Sequence, residues 1–208
     1  MTATTPAEIR TETRTHIVLL AYPGVDELDL FGAYAPLVKA ARYAADGHEL
    51  AVTIVAADPE IVCGGGAAVR RQAGLEAATG AAALVVPGGA GAREAARDER
   101  TLSAVRHAYE DGALVYSICS GAFLLAAAGL TGTGRVSVHA AKRALLAAEI
   151  GHEPACGLVR QDRIVSIGGR DEPGVKAVSI AFQLLRDLAP ETVEAVAARL
   201  EVVPGEPV

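Results

Sequence analysis

The sequence predicts an α/β fold in which a single doubly wound, mainly parallel sheet carries helices on both faces. Short apolar runs rich in Val, Ile and Leu recur without polar alternation, which is typical of strands buried on both faces. Segments with helical spacing of apolar residues separate these runs, and strands that alternate with helices form a parallel sheet. The chain has 208 residues, 51% of them hydrophobic, so one domain with a large core is expected.

The first predicted elements follow a polar amino-terminal segment. Residues 1–14 are mixed in charge and lack the apolar core of a signal peptide, so we expect a flexible tail. The apolar run at residues 15–21 predicts the first strand, because turn-forming residues follow it directly. Helical spacing over residues 28–45 predicts a helix that ends near Asp46 and Gly47.

Apolar runs predict the next strands. Residues 50–57 form the second strand of this prediction. Short apolar segments on both sides of residues 63–66, which are one cysteine and three glycines, indicate a hairpin. Residues 83–86 predict a third buried strand, which Pro87-Gly88-Gly89 ends.

The remaining chain continues the alternation of helices and strands. A helix is predicted at residues 98–110, since Asp111-Gly112 follows it, and a strand at 113–116 comes next. The later predicted elements are a helix after residue 121 that stops at Gly129, a strand at 135–138, a helix from His139 to Glu149, a hairpin of 157–160 with 164–167, and helices at 175–187 and 190–200. The domain is therefore expected to span residues 15–202, with a tail at 203–208.

Composition excludes several classes of function. The net charge of −6 and the lack of a basic stripe argue against nucleic acid as a partner. The longest apolar helical run, at residues 122–130, is too short to span a membrane. The three cysteines lack metal-like pairing, and with no export signal we expect reduced thiols in the cytoplasm. No His or carboxylate spacing indicates a metal site, so neither a metal nor a cofactor is expected.

The most informative feature of the sequence is Cys119, which lies between an apolar run and a helical pattern. A reactive side chain on such a strand-to-helix turn is held out of the sheet with its backbone strained. Small residues two before and two after it relieve crowding, and here they are Ser117 and Gly121. Ser120 fits the nucleophile position worse, because Ile118 would then be crowded. The alternative interpretation is a small buried hydrophobe, which is what most free cysteines are.

The surroundings of Cys119 give a physical reason for a reactive sulfur. A thiol with a reference pKa of about 8.5 is mostly protonated near neutrality. A helix N-terminus lowers that pKa, and the amides of Ser120 and Gly121 are expected to face the sulfur. Cys63 and Cys156 lack this context, so both are interpreted as structural or incidental.

Further candidate groups fall at the carboxyl ends of strands, where open parallel sheets bind ligands. The glycine-rich turn after the third strand fails the dinucleotide fingerprint, since Pro87 intrudes and the third glycine is missing. The Gly89 amide, with that of Ser120, could form an oxyanion-type site, or the segment could be a simple tight turn. His139, which ends a strand and opens a helix, could pair with Cys119 or be structural.

Acidic residues lie close to the end of the first strand. Asp26 is expected to cap the following helix, and Glu27 suits the dipole at its first turn. Asp29 is flanked by Leu28 and Leu30, so its carboxylate is expected to be drawn inward. An inward carboxylate beside a thiolate would have a raised pKa and could act as general acid or base.

Taken together, these residues resemble the ThiJ/PfpI superfamily, which shares its flavodoxin-like sandwich with class I glutamine amidotransferase domains. The resemblance extends over residues 15–188. Its motifs are Tyr22-Pro23-Gly24 with Leu28-Asp29-Leu30, Val86-Pro87-Gly88-Gly89, Ile118-Cys119-Ser120-Gly121-Ala122, Ala128-Gly129-Leu130, Arg135-Val136-Ser137-Val138-His139 and Ile167-Gly168-Gly169. Each motif alone is weak, but their order and separation are specific for the superfamily.

Within that superfamily the chain most resembles the isonitrile hydratase branch and the N-terminal domains of AraC-type regulators. The resemblance implies that Cys119 is the nucleophile, Asp29 the acid/base partner, and the amides of Gly89 and Ser120 a cradle for the electrophile. It also implies a homodimer and a cysteine-dependent hydratase for a small electrophile such as an isonitrile. The expected pocket residues are Gly88, Ile118, Gly121, His139 and Glu27.

Departures from the hydratase pattern concern the pocket. The branch usually has Thr-Gly-Pro, Trp and Gly-Ile-Asp where this chain has Phe31-Gly32-Ala33, Ala140 and Gly174-Val175-Lys176. One alternative is a glyoxalase-like enzyme for 2-oxoaldehydes, with Glu27 as the candidate acid. The other is a redox or ligand sensor in which Cys119 oxidises. A regulator's DNA-binding half is not expected, since no helix-turn-helix region is evident in the sequence.

Overall fold

A computed structural model of the chain describes residues 13–45, 48–132, 134–169 and 175–204. Its strands are β1 (Thr13–Leu20), β2 (His48–Val55), β3 (Glu60–Val62), β4 (Ala68–Arg70), β5 (Ala83–Val86), β6 (Leu114–Ile118), β7 (Gly157–Gln161) and β8 (Ile164–Gly168). Its α-helices are α1 (Glu27–Ala40), α2 (Ala92–Ala95), α3 (Glu99–Glu110), α4 (Ala122–Ala127), α5 (Arg143–Ile150), α6 (Lys176–Leu188) and α7 (Val193–Leu200).

A six-stranded sheet has the order β2-β1-β5-β6-β8-β7, and β3 pairs with β4 in a separate hairpin. Neighbours in the sheet are parallel except β7 and β8, which pair antiparallel at one edge. The predicted mainly parallel sheet and both predicted hairpins are thereby confirmed. Since parallel neighbours carry their carboxyl ends at the same edge, the segments after β1, β5 and β6 lie side by side.

Helices cover the sheet in two layers. α1, α6 and α7 pack together and contact β1, β2 and β6, whereas α3 and α4 pack together and contact β5 and β6. In the interior strand β1, the consecutive residues Ile17, Val18 and Leu19 are all fully buried. A strand covered on both faces needs apolar residues at successive positions, which explains the continuous apolar runs in the sequence.

A polar cluster ties α6 to the sheet. The hydroxyl of Tyr116 in β6 donates a hydrogen bond to Oδ2 of Asp187 in α6. Arg160 of β7 donates to the same oxygen at 2.6 Å, and Gln183 donates to Oδ1 at 3.3 Å. Burial, followed by the contact with Asp187, raises the pKa of Tyr116, so its hydroxyl stays protonated and keeps donating. These four residues are called the Asp187 cluster below.

Two predicted boundaries differ from the structure. β1 begins at Thr13, because the last two residues of the predicted tail pair in register with the first two of β2. α1 ends at Ala40 and not at residue 45. The amides of Arg42 and Tyr43 donate to carbonyls three residues earlier, so the helix tightens into its final turn.

Residues 135–138 do not form the predicted strand. They make a single parallel bridge, from Ser137 to Ala155, because β8 already pairs with β6 on one side and β7 on the other. The predicted helix end at Asp46 and Gly47 lies outside the described residues, as do Gly174 and most of both predicted tails. Of the helices that the structure describes, none has the length and apolar character to cross a membrane.

Candidate active site

Cys119 occupies the turn between β6 and α4, at the carboxyl edge of the sheet. Its φ of 56° lies in the left-handed region, which costs a residue with a side chain about 1–2 kcal/mol. A 3-10 turn over Cys119–Gly121 then leads into α4, and the cysteine side chain is partly buried. The strained strand-to-helix turn expected from the sequence is therefore present.

Small residues surround this turn because it is crowded. A Cβ at position 121 would collide with the carbonyl oxygen of Val86 at the end of β5, so only glycine fits there. On the other side of Cys119, Ser117 is fully buried and pairs with Val86 of β5 and Ser166 of β8. The spacing of Ser117 and Gly121 around the cysteine thus has the steric meaning that the sequence suggested.

Gly88 is the point where an acid, a thiol residue and a backbone amide meet. A Cβ built on Gly88 would lie 2.7 Å from Oδ2 of Asp29, 2.8 Å from the amide nitrogen of Ser120 and 2.9 Å from Cβ of Cys119. The Gly88 amide donates to Oδ2 of Asp29 at 3.0 Å, which fixes the carboxylate over the turn. A side chain at position 88 would therefore separate the groups that the sequence assigns to chemistry.

Backbone contacts hold the β1–α1 turn against the end of β5. The hydroxyl of Tyr22 donates to the carbonyl of Pro87 at 2.7 Å, and the amide of Asp26 donates to the carbonyl of Gly88 at 2.9 Å. The Asp26 carboxylate caps α1 as predicted, by accepting two amides of its first turn. The position of Asp29 in that turn is consequently set by the backbones of two loops.

Ser120 and Gly89 form a reciprocal pair of hydrogen bonds. The Ser120 hydroxyl accepts from the Gly89 amide at 2.9 Å and donates to the Gly89 carbonyl at 3.0 Å. The predicted cradle of two free amides is therefore corrected: the Gly89 amide already has a partner, and the Ser120 amide is the one that acts on the sulfur. The hydroxyl after the cysteine serves to hold the loop that follows β5.

The environment of Asp29 raises its pKa to about 6. Burial is the largest cause, because it disfavours the charged carboxylate, and the charge of Asp26 adds to it. The Gly88 amide and the ammonium group of Lys176 act in the opposite direction. A carboxyl group whose pKa lies near neutrality can both accept and return a proton, which suits the role expected of Asp29.

The pKa of Cys119 is raised above that of an ordinary thiol, which corrects the predicted lowering. Burial is the main cause, and the charge of Asp29 is the second. The Ser120 amide opposes the shift, as expected of a helix start, and Lys142 and the Ser120 hydroxyl also oppose it. These contributions do not overcome burial, so at rest the sulfur is a thiol beside a carboxylate that can take its proton.

A cavity of about 910 Å³ opens over these groups. Of the predicted site residues it is lined by Asp29, Gly89, Cys119, Ser120 and His139. The rest of its lining is Asp26, Leu28, Ala90, Ala140, Lys142, Gly169, Val175 and Lys176. Lys142 was missed as a site residue, and Lys176 was placed near the pocket only as part of the departure at Gly174-Val175-Lys176. The rarity of lysine was an available signal, since the sequence has three lysines against sixteen arginines.

Four predicted pocket residues are not part of the cavity lining: Gly88, Ile118, Gly121 and Glu27. Ile118 and Gly121 are buried on either side of the cysteine, within β6 and against β5. Glu27 turns toward the β3–β4 hairpin, where its carboxylate accepts from the amide of Gly65 at 2.9 Å and that of Ala67 at 3.4 Å. The contacts that the structure gives these residues are structural, and their expected pocket role stays a prediction.

His139 lies exposed at the rim of the cavity. Its Nδ1 accepts a hydrogen bond from the Ala141 amide at 3.1 Å, which caps the 3-10 turn before α5. This cap requires the ring hydrogen to sit on Nε2 when the imidazole is neutral. Of the two interpretations left open by the sequence, the contact supports the structural one.

The other cysteines lie elsewhere. Cys63 is buried, and burial followed by the charge of Glu27 raises its pKa. Cys156 is exposed, and Arg143 donates to its sulfur. Over the part of the chain that the structure describes, no cluster of three or more His, Cys, Asp or Glu side chains could hold a metal ion.

Sequence comparison identifies relatives of the chain. The pattern of the DJ-1/PfpI family matches residues 15–171. An isonitrile hydratase from Pseudomonas putida is 29% identical over 193 residues, which cover 92% of this chain and 80% of that protein.

Solved structures share the fold. DJ-1beta from Drosophila melanogaster matches with a TM-score of 0.77 at 19% identity, over 92% of this chain and 100% of that one. A ThiJ/PfpI family protein from Pseudomonas syringae matches with a TM-score of 0.76 at 24% identity, over 100% of this chain and 84% of that one. At these identities the likeness shows the flavodoxin-like fold alone.

Proposed function

The chain belongs to the DJ-1/PfpI family, and from this premise we propose that it is a cysteine-dependent enzyme that hydrates a small electrophilic carbon, such as that of an isonitrile. The observation that carries the proposal is the meeting of Asp29, Cys119 and the Ser120 amide around Gly88. A thiol nucleophile, a proton carrier with a pKa of about 6 and a fixed donor are the groups that such a reaction needs. The similarity to an isonitrile hydratase supports this substrate class.

The first half of the proposed reaction joins sulfur to carbon. As the Cys119 sulfur attacks the terminal isonitrile carbon, the Asp29 carboxylate accepts the thiol proton in the same step, so that a free thiolate need not form first. Protonated Asp29 then gives that proton to the same carbon. The result is a thioimidate, whose carbon bears one hydrogen, a single bond to sulfur and a double bond to nitrogen.

The second half adds water and releases sulfur. Asp29 takes a proton from water as the oxygen attacks the thioimidate carbon, and passes it to the nitrogen. The carbon–sulfur bond then breaks, the hydroxyl proton returns to sulfur, and an N-substituted formamide leaves. The Ser120 amide stabilises the charge on sulfur while this bond forms and breaks. The net change is the addition of one water molecule to the isonitrile.

Turnover of a neutral alkyl isocyanide tests the proposal, with loss of the isocyanide infrared band as the readout. Cys119→Ala is expected to abolish protein-dependent formation of the formamide. Cys156→Ser is the matched control, because it removes an exposed thiol outside the cavity, and it is expected to retain activity. Equal turnover by wild type and Cys119→Ala would contradict the proposal.

The two alternatives are less well supported by the contacts. Glyoxalase-like chemistry relied on Glu27, whose carboxylate is bound to the amides of Gly65 and Ala67. A redox sensor needs a readily formed thiolate, whereas burial and Asp29 raise the pKa of Cys119. Faster turnover of methylglyoxal than of isocyanide would favour the first alternative. Sulfinic acid formation without turnover of either would favour the second.

We further propose that the enzyme is a cytoplasmic homodimer. Leu28 and Val175 are exposed apolar residues of the cavity wall, and Phe31 is exposed on the same helix as Leu28. Contact with a second copy would remove this apolar surface from water and narrow the cavity entrance. The three free cysteines fit a reducing compartment. A light-scattering mass equal to one chain would contradict the dimer.

A further inference from the structure

The cavity over Cys119 has two cationic residues that the proposed reaction does not use. Lys142 and Lys176 both line it, and both are partly buried. Lys142 ends the 3-10 turn before α5, and Lys176 is the first residue of α6, so two separate segments bring an ammonium group to one cavity. The sequence has one other lysine, Lys39, which lies in the last turn of α1.

Surrounding side chains do not neutralise these two ammonium groups by direct contact. Among the residues that the structure describes, neither lysine forms an ion pair with a carboxylate, whereas Arg93 pairs with Glu149 on the nearby surface. The two carboxylates of the cavity are held by backbone amides: Asp26 caps α1, and Asp29 accepts the Gly88 amide. A partly buried cation that has no directly paired carboxylate favours an occupant of opposite charge, even with the charge of Asp29 in the same cavity.

Both lysines act on the reacting groups through space. The positive charge of Lys142 acts to lower the pKa of Cys119, and that of Lys176 acts to lower the pKa of Asp29. An anion bound by the lysines would therefore lie in the same cavity as a carbon that faces the sulfur. The chain as a whole carries a net charge of −6, which repels anions at long range, so binding one requires a local positive wall of this kind.

We propose that the substrate of this cavity carries a carboxylate, which Lys142 and Lys176 bind while the electrophilic carbon faces Cys119. This inference rests on the proposed function, because it concerns the substrate of the same site. A neutral isonitrile would leave both ammonium groups without a partner. A carboxylate close to the reactive carbon would satisfy them and would also orient that carbon.

Alkylation of Cys119 measures the charge of the cavity without any turnover. The rate constants for iodoacetate and iodoacetamide are obtained by mass spectrometry of the Cys119 peptide, so the other thiols can stay in place. Each reagent forms a carbon–sulfur bond as iodide leaves, and each reacts with the thiolate. The ratio of the two rate constants therefore cancels the thiolate fraction and reports the preference for an anion.

The Lys142→Gln/Lys176→Gln double variant is expected to lower the iodoacetate-to-iodoacetamide ratio by about threefold to tenfold at low ionic strength. Lys39→Gln is the matched control, since that lysine lies outside the cavity, and it is expected to leave the ratio unchanged. A ratio that stays the same in the double variant overturns the inference.

Turnover then compares isocyanoacetate with isocyanoacetamide, which differ in charge and hardly in size. The wild type is expected to favour the acid about threefold to tenfold in kcat/KM, through KM, and the double variant to lose this preference. Turnover of both without preference for the acid overturns the inference and leaves the hydratase proposal standing. No turnover of either, with the alkylation preference intact, overturns the hydratase proposal and supports the anion-binding wall.

Discussion

Asp29 and Asp187 are two carboxylates beside β6 that differ in the hydrogen-bond donors around them. Asp187 accepts hydrogen bonds from Tyr116, Arg160 and Gln183, and one of these donors is a cation. Asp29 accepts one backbone amide in a partly buried position, and its pKa rises to about 6. The two carboxylates therefore differ in the number and charge of their hydrogen-bond donors. Asp187 joins α6 to the sheet, whereas Asp29 has an environment in which a carboxyl group can exchange protons.

The largest expected effect comes from Asp29→Asn. Asparagine can still accept the Gly88 amide but cannot accept the thiol proton of Cys119, so kcat/KM for an isocyanide is expected to fall about 10²- to 10⁴-fold. The free energy of unfolding is expected to rise by about 1–3 kcal/mol near neutral pH, because a poorly compensated charge is removed. Denaturant unfolding and kinetics on the same preparation measure both. A variant that is less stable than wild type would contradict the contrast with Asp187.

Asp187→Asn is expected to act in the opposite sense. It removes the charged acceptor of Tyr116 and Arg160, so the free energy of unfolding should fall by about 2–3 kcal/mol, while kcat per folded molecule stays near that of wild type. Glu149→Gln, which breaks an exposed ion pair, is the control and should change stability by less than about 1 kcal/mol. Equal losses in the two variants would mean that the Asp187 cluster adds no more than a surface pair.

Acid should lower the activity through Asp29. Below the Asp29 pKa of about 6, kcat/KM is expected to fall about tenfold per pH unit, because the protonated acid cannot accept the thiol proton. The free energy of unfolding changes in the opposite direction to the activity. Since the Asp29 pKa is higher in the folded than in the unfolded chain, wild type gains stability relative to Asp29→Asn as pH falls from about 6 to about 4. If the difference in the free energy of unfolding between wild type and Asp29→Asn stays constant over this pH range, the buried-charge explanation is refuted.

The smallest expected effect concerns Ser120. Its hydroxyl holds the loop after β5, and its backbone amide is the donor of the proposed reaction. Ser120→Ala removes both hydrogen bonds to Gly89 and leaves a partly buried amide without its acceptor, so stability should fall by about 1–2 kcal/mol. Ser120→Thr keeps the hydroxyl and is the matched control. Because the amide at position 120 remains, activity should fall far less than in Asp29→Asn. A loss of comparable size would give the hydroxyl a direct part in the reaction.

Much of the fold could be predicted from the sequence because its signals are local. Apolar runs and turn residues predicted the strands of the parallel sheet, and the small residues around Cys119 predicted the strained turn. The strand expected at 135–138 failed, because whether a run can join a sheet depends on a free edge, and β8 has none. That information is held in distant segments and not in the run itself.

The sequence predicted several residues that line one cavity, but it did not predict the electrostatics of that cavity. Asp29 was expected to turn inward because Leu28 and Leu30 flank it, yet Leu28 is 59% exposed and only Leu30 is buried. The predicted direction of the shift in the Cys119 pKa was wrong. The start of the following helix was visible in the sequence, whereas the burial of the sulfur was not. No local pattern in the sequence shows that residues 142 and 176 line the same cavity, so their shared position was not predicted.

The raised pKa of Cys119 exists only while the loops after β1, β5 and β6 stay assembled. When that edge of the sheet opens, the sulfur returns to water, loses the neighbouring charge of Asp29 and regains ordinary acidity. Near neutral pH the opened form should therefore be labelled faster by a neutral thiol reagent than the closed form. Labelling rates measured below the unfolding transition would then report how often the site opens, as amide hydrogen exchange does for a backbone. The Cys119 thiol is thus a built-in probe of local unfolding.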